Sequence, residues 1–427
     1  RFSRELRSRH LIHEVQQAAR SLLDSPAGLY AAGRWWGGAT GRGASACPVE
    51  SPRMDGQPWL DPVLCRERQR RLLERLAPLE LDAVIIVMPE HVQYLAGPRW
   101  DWRFMPLFAL DAQGKAILIC PDRPAPAAAA DDIATYEAKW RSTLRMDQRE
   151  TAAAAAAAWL GDRQPLRRVG VEWSACPPHV SRLLGSATLV DIEPQLIEMR
   201  RRKDPDELTL LRRAIAATGE MYRVAREIIR PGIDELQVFS ALQAAAVRSC
   251  GEMLTGTGND YASGVRGGAP RPRTCQAGEL YILDLGPAFR GYYSDNARTI
   301  AVDGRPTELQ QTAWRHVCGA FDIVERMARP GVRCREIYQA VYDWLATAPV
   351  GSWSSHLGHG IGLFVHEPPH LNPHWDDTLQ EGEVIAVEPA LYGDGLACGL
   401  RLENDYLVTA SGLELLTPFP LEMDRKV

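Results

Sequence analysis

The sequence predicts an α+β fold with two globular parts: a larger C-terminal domain in which two helices and a β-hairpin occur twice, and a smaller α/β domain before it. Three observations predict this. Residues 58–198 alternate helical and strand patterns, a capping-box sequence starts at Asp204, and beyond it the order of two helices followed by a hairpin repeats. The boundaries fall at 1–57, 58–198 and 199–427.

Residues 1–57 stand apart. Arg1–Leu23 fits a short basic amphipathic helix and passes into the glycine-rich stretch 33–45, which has little to pack. This extension receives no function. Next come a charged helix around Cys65–Leu79, the strand Ala83–Val87, the strand Ala116–Cys120, the alanine-rich helix Thr151–Leu160 and the strand Arg168–Glu172. No catalytic chemistry is visible among them, and Trp100, Trp102 and Arg103 are expected on a surface loop.

The second domain opens at Asp204-Pro205-Asp206-Glu207. Asp204 suits the N-cap, Pro205 the first helical position, and Glu207 completes the box. Leu208, Leu211, Ile215, Met221, Ala225 and Ile228 recur at helical spacing up to Pro231-Gly232, and Asp234 caps a second helix from Glu235 to about Arg248. A further pair, Thr307–Ala328 and Arg335–Leu345, is separated by Pro330-Gly331.

The hairpins carry the chemistry. Tyr281–Val302 reads as two apolar strands around Gly286-Pro287 and Gly291; with its turn centred between Phe289 and Arg290, Asp284 faces Asp295 across the ladder. Directly opposed side chains have Cβ atoms roughly 4.5–5.5 Å apart, and like charges there repel. In the second hairpin, 383–408, Glu388 and Glu403 are equidistant from a centre between Gly395 and Leu396. Two opposed acid pairs among Ile, Leu and Val require a cation, because a buried unpaired carboxylate costs several kcal/mol. Between the hairpins lies Ser355–His370, where Gly358, Gly360 and Gly362 describe a tightly bent loop with His359 at its centre. His366-Glu367-Pro368-Pro369-His370 fits the HExxH pattern of zinc peptidases, but that pattern works on a helix and the two prolines exclude one.

These motifs carry a resemblance. Asp284-Leu-Gly, Ser294-Asp295, Arg298-Thr299, Gly358-His359-Gly360-Ile-Gly362, His366-Glu367-Pro368, Glu388-Pro389 and Arg401-Leu402-Glu403 together resemble the pita-bread metallopeptidases, the family of prolidase, aminopeptidase P, methionine aminopeptidase and creatinase. More loosely, Arg66–Leu73, Leu81–Val87 and Tyr94–Gly97 are similar to the N-terminal domain of the creatinase and prolidase branch. The resemblance implies a pita-bread C-terminal catalytic domain with a smaller creatinase-like α/β domain before it.

It also implies roles. Asp284, Asp295, His359, Glu388 and Glu403 would hold two divalent metal ions, manganese first, with cobalt, zinc or iron as alternatives; an oxygen-rich set with one imidazole suits such metals. Glu388 would take a proton from the attacking water, and His366 would stabilise the tetrahedral intermediate. Arg401 would orient Glu403, meet substrate, or form a surface ion pair. The implied reaction is hydrolysis of a C–N bond, the Xaa-Pro amide of a short proline-containing peptide, with a small non-peptide amide or amidine substrate, or a metal-binding scaffold without activity, as alternatives. The family also implies a homodimer.

The sequence departs from the family in one segment. Active members carry a histidine in a Ser-Gly segment upstream of the first metal aspartate, whereas Ser263–Cys275 has none, and Arg271 follows Pro270 where it is expected. Arginine offers only donors and exchanges no proton near neutral pH. Arg271 is therefore a candidate substrate-binding residue, as is His356, which neighbours Ser355 where the prolidase branch often has histidine.

Composition limits the rest. The 427 residues are 45% hydrophobic and 24% charged with net charge −5, which gives no electrostatic case for nucleic acid. Nine cysteines without a CxxC read as reduced thiols of a cytoplasmic protein. No apolar run is long enough to span a bilayer, so no membrane partner is expected.

Overall fold

The computed structural model describes residues 55–424, except 102, 164, 259 and 354. The expected basic helix and glycine-rich stretch lie outside the described residues, as does Trp102. Within the N-terminal domain a six-stranded mixed sheet runs in the order Thr188–Asp191, Arg168–Val171, Ala83–Ile86, Leu107–Asp111, Ala116–Pro121, Asp132–Tyr136. The central strands are apolar throughout because both faces are covered. Val84, Ile86, Phe108 and Leu118 pack on the side of helix Pro62–Leu76, while Ala83, Ile85, Ala109 and Ile117 pack on that of helix Gln148–Gly161.

The first of these cores continues without a break into the C-terminal domain, taking in Leu211 and Met221 of helix Pro205–Ile228 and Leu283 and Leu285 of the first hairpin. That helix begins as its sequence requires: Asp204 and Glu207 form a reciprocal capping box. Asp204 has a second task, since Arg68 and Arg71 of the N-terminal domain both bond its carboxylate. Helices Glu235–Cys250, Glu308–Met327 and Cys334–Leu345 follow the expected spacing to within a few residues. No helix among the described residues is long and apolar enough to cross a membrane.

A five-stranded antiparallel sheet forms the floor of the C-terminal domain, in the order Glu367–Leu371, Gly358–Gly360, Val384–Val387, Asn404–Thr409, Gly412–Leu415. His359 therefore sits on an inner strand and not on a loop. Its glycines permit this, because a Cβ on Gly358 would lie 2.0 Å from the Ala386 carbonyl and one on Gly360 2.2 Å from that of Pro368. Glu367–Leu371 is extended, so His366 and His370 do not share a helical face.

The two hairpins differ from expectation in different ways. In the first, Asp284 pairs with Ala297 and Phe289 with Tyr292, so the turn is centred between Arg290 and Gly291. Both residues have positive φ, 50° and 89°, as a two-residue turn of the primed type requires. Asp295 is displaced by two residues from direct opposition and becomes a diagonal neighbour of Asp284 on the same face. The second hairpin keeps the expected register throughout, from Val384–Leu407 through Val387–Asn404 to Ala390–Arg401, which leaves Glu388 opposite Glu403. It is not one continuous ladder. At Glu388 and Glu403 the backbone bonds turn outward, to the carbonyls of Leu357 (2.8 Å) and Ala297 (2.9 Å).

Two expectations for the N-terminal part are corrected. Asp55–Pro58 forms a strand paired with Pro98–Trp100, so Trp100 is a buried strand residue and not a loop residue. Its partner had been assigned to the unstructured extension. Arg103 is exposed and pairs with Asp101.

Candidate metal centre

The outward bond from Glu403 to Ala297 explains how remote acids meet. Ala297 is the ladder partner of Asp284, so tying the second hairpin to that rung brings the Glu403 carboxylate beside both aspartates. Asp284, Asp295 and Glu403 each offer an oxygen within 4.8 Å of the others. His359 and Glu388 close the ring: Nε2 of His359 lies 3.7 Å from Asp295 Oδ2 and 3.6 Å from Glu388 Oε1. His359 Nδ1 faces the Gly360 carbonyl at 3.0 Å, which assigns the ring proton to Nδ1 and leaves the Nε2 lone pair facing the carboxylates.

These acids are poorly compensated by the protein itself. Burial, then the neighbouring charges of Asp284 and Asp405, push Asp295 well above the usual carboxylate range; burial, then Asp295 and Asp284, does the same to Glu403. Asp284 is raised less, because Arg401 opposes burial there. Asp284 Oδ1, Glu403 Oε2 and Asp405 Oδ1 are buried without a hydrogen-bond partner. Buried oxygens are rarely left so. Three orphan carboxylate oxygens, a free imidazole lone pair and a surplus of negative charge fit divalent cations.

The remaining candidates fall into place around this ring. His356 Nε2 lies 2.6 Å from Glu388 Oε1. Burial opposes ionisation of Glu388, but hydrogen bonding led by His356 outweighs it and holds that carboxyl low. His366 stacks on His359, with ring centres 3.8 Å apart and planes at 11°, and burial followed by the neighbouring imidazoles lowers it to about 4. Arg401 is neither a surface ion pair nor a partner of Glu403. Its guanidinium is spent on Asp284 and Asp260, with one further bond to the Tyr392 hydroxyl.

Arg271 is placed differently from the other candidates. Its Nε and Nη2 grip both oxygens of buried Glu235, at 3.0 and 2.7 Å, and Nη2 also donates to the Ser263 carbonyl. Arg271 thus forms an ion pair that locks the Ser263–Arg273 loop onto helix Glu235–Cys250, with its side chain still 37% exposed.

Sequence reasoning missed three contributors. Asp260 accepts from Arg401 and from the Gly268 N–H, and Gly267 is there because a Cβ would clash with the Asp260 carboxylate. Asp405 accepts from the Asp295 N–H at 3.3 Å; its only signal was its place two residues after Glu403 in an apolar strand. Arg298, 1% exposed, braces Glu403 from behind. It donates to the carbonyls of Glu403, Thr417, Phe419 and Pro420 and to Asn404 Oδ1.

Comparison with known proteins identifies both domains. Residues 209–410 match Metallopeptidase family M24, and residues 68–202 match the Creatinase/Prolidase N-terminal domain. The chain is 25% identical over 372 residues to a Xaa-Pro dipeptidase of Pyrococcus horikoshii, covering 84% of this chain and 99% of that protein. It is 29% identical over 267 residues to an uncharacterized peptidase, YqhT, of Bacillus subtilis, covering 60% of this chain and 75% of that one. Among solved structures, the prolidase from P. horikoshii OT3 superposes with a TM-score of 0.71 at 23% identity, over 84% of this chain and 99% of that one. A creatinase/prolidase N-terminal domain, residues 68–202, thus leads into a metallopeptidase family M24 domain, residues 209–410.

Proposed function

We propose that the protein is a dinuclear metal-dependent peptidase that hydrolyses the Xaa-Pro bond of short peptides. The observation that carries this reading is the convergence of Asp284, Asp295, His359, Glu388 and Glu403, with buried oxygens of Asp284 and Glu403 that lack hydrogen-bond partners. Two divalent ions held there, manganese first among those that suit the donors, would supply a water of lowered pKa and polarise the scissile carbonyl.

The chain's own groups then have distinct tasks. Glu388 is oriented by His356 and serves as the base that receives the water proton at a carboxylate oxygen. His366 stays neutral at neutral pH, so it offers one N–H donor to charge developing on the carbonyl oxygen. Arg401 holds Asp284 in its ionised form.

One observation favours a second reading. With Arg271 bound to Glu235, the Ser263–Arg273 loop brings no imidazole to the leaving nitrogen, which suits a substrate whose leaving group needs less help, such as a small amide or amidine. The experiment is a panel of Xaa-Pro dipeptides, Xaa-Pro-peptides and small amides assayed with added manganese. Turnover of Xaa-Pro substrates that EDTA abolishes is the expected result. Hydrolysis of the amides alone supports the second reading, and turnover of nothing removes both.

A further inference from the structure

The buried charges outside the metal centre form a line that crosses from the N-terminal domain to the segment carrying His366. It starts at Glu172, 0% exposed, whose Oε2 accepts the N–H groups of Val87 (2.6 Å) and Met88 (2.9 Å) and whose Oε1 pairs with His91 Nδ1. The other ring nitrogen of His91 faces Arg200 Nη1. A guanidinium has donors only, so His91 Nε2 is the acceptor and the ring proton is on Nδ1, shared with Glu172.

Arg200 ends the line against two residues that bracket His366. Its guanidinium lies 4.3 Å over the Phe364 ring and its Nε is 3.4 Å from Glu367 Oε1. Glu367 in turn accepts the Phe364 N–H at 3.2 Å and pairs with Lys203 at 3.1 Å. The His91 ring also packs on Phe364, with centres 5.9 Å apart. The His366 side chain makes no hydrogen bond among the described residues; its ring stacks on that of His359, lies near that of His356, and has a nitrogen within 4.8 Å of ligand atoms of His359 and Asp295. Besides that stacking, its direction is set by the backbone on either side, which is gripped by His91 of the N-terminal domain and by Arg200 and Lys203 at the domain junction.

We propose that His91 and Arg200 are positioning residues: through Arg200 at the domain junction, and through Phe364 and Glu367, His91 of the N-terminal domain fixes the orientation of the His366 imidazole. The inference rests on the reading of His366 as a group that acts on substrate. It gives the N-terminal domain, which holds no metal-binding residue of the centre, a part in the reaction. The line is buried and charged, hydrogen-bonded as far as Arg200 and continued by an ion pair and a ring contact, so weakening it should loosen the 362–366 segment without touching the metal donors.

The test compares two variants of the full chain. His91→Phe keeps a ring against Phe364 and removes both hydrogen bonds, whereas His91→Gln restores one acceptor and one donor. Amide hydrogen exchange is measured at 362–366 and at the inner strand 384–387. The expected result for His91→Phe is exchange about tenfold faster at 362–366 with 384–387 unchanged. In the same variant kcat on an Xaa-Pro substrate should fall about tenfold or more with little change in KM or bound metal, because small misplacement of a reacting group is costly. His91→Gln should move both readouts back towards the wild type. Unchanged exchange at 362–366 in His91→Phe, or a loss of protection spread evenly over the sheet together with loss of metal, overturns the proposal. If the wild-type protein turns over no Xaa-Pro substrate, the proposed function fails, and the exchange comparison alone still decides whether the N-terminal domain holds this segment.

Discussion

Arg401 reaches Asp284 and not Glu403: its Nη2 lies 2.8 Å from Asp284 Oδ2 and also pairs with Asp260. The guanidinium thereby neutralises one of two buried aspartates and leaves the other oxygen of Asp284 free of partners. Arg401→Met should therefore strand both acids. Breaking a largely buried pair costs roughly 3–5 kcal/mol, and a drop in thermal stability of that order is expected, with weaker metal binding. Differential scanning calorimetry and metal stoichiometry check this; an unchanged metal content would show that Arg401 plays no part in holding Asp284.

Glu403→Gln should act in opposite directions on the two forms of the protein. Without metal, removing one of three clustered buried acids relieves repulsion with Asp295 and Asp284, so the melting temperature rises. With manganese added, the stabilisation by ligand binding shrinks, because affinity for the folded state falls. Parallel melts with EDTA and with manganese read both signs, and a lower melting temperature in EDTA would contradict the first.

Glu388→Ala should lower kcat by about 10²–10⁴-fold, the usual weight of a positioned general base. His356→Ala should have a smaller effect, because it removes only the 2.6 Å contact that orients the same carboxylate. Steady-state kinetics on the two variants at saturating metal compare them. A larger loss from His356 than from Glu388 would reverse the assignment.

Arg271 gives a pH prediction. Burial opposes ionisation of Glu235, but the Arg271 guanidinium and backbone donors overcome it and bring that carboxyl from its ordinary 4.5 to about 2. A folded-state pKa below the unfolded value contributes stability that is complete above about 4.5 and is lost as pH falls from 4.5 through 2. Arg271→Gln should shrink this contribution, so acid unfolding starts at higher pH than in the wild type. Melting temperature against pH between neutrality and about 3 measures it. Arg271→His should raise Xaa-Pro turnover only if the new imidazole leaves Glu235, and a stable variant with unchanged turnover would show that it does not.

Much of this architecture was legible in the residues, and the failures have physical causes. The capping box at Asp204–Glu207 and the register of the second hairpin follow from local chemistry, and both hold. In the first hairpin the symmetry of two aspartates suggested a turn at Phe289-Arg290, whereas positive φ at two consecutive positions is served better by Arg290-Gly291. The glycines around His359 suggested a loop because they avoid strands in general; here they make room for carbonyls of both neighbouring strands. The Arg271 partner was not legible because Glu235 lies 36 residues away and nothing local announces the contact. Strands such as Leu107–Asp111 carry no alternation because both of their faces are covered.

The many bonds from Arg298 tie the acid cluster to a part of the chain that has no ligand in it. One buried side chain joins the carbonyl of Glu403 to those of Thr417, Phe419 and Pro420. Cutting the chain ahead of Thr417 would strip that guanidinium of half of its acceptors and leave a poorly held cation behind Glu403. Damage to this last stretch would thus surface as weakened binding of divalent ions, although every proposed metal donor is intact.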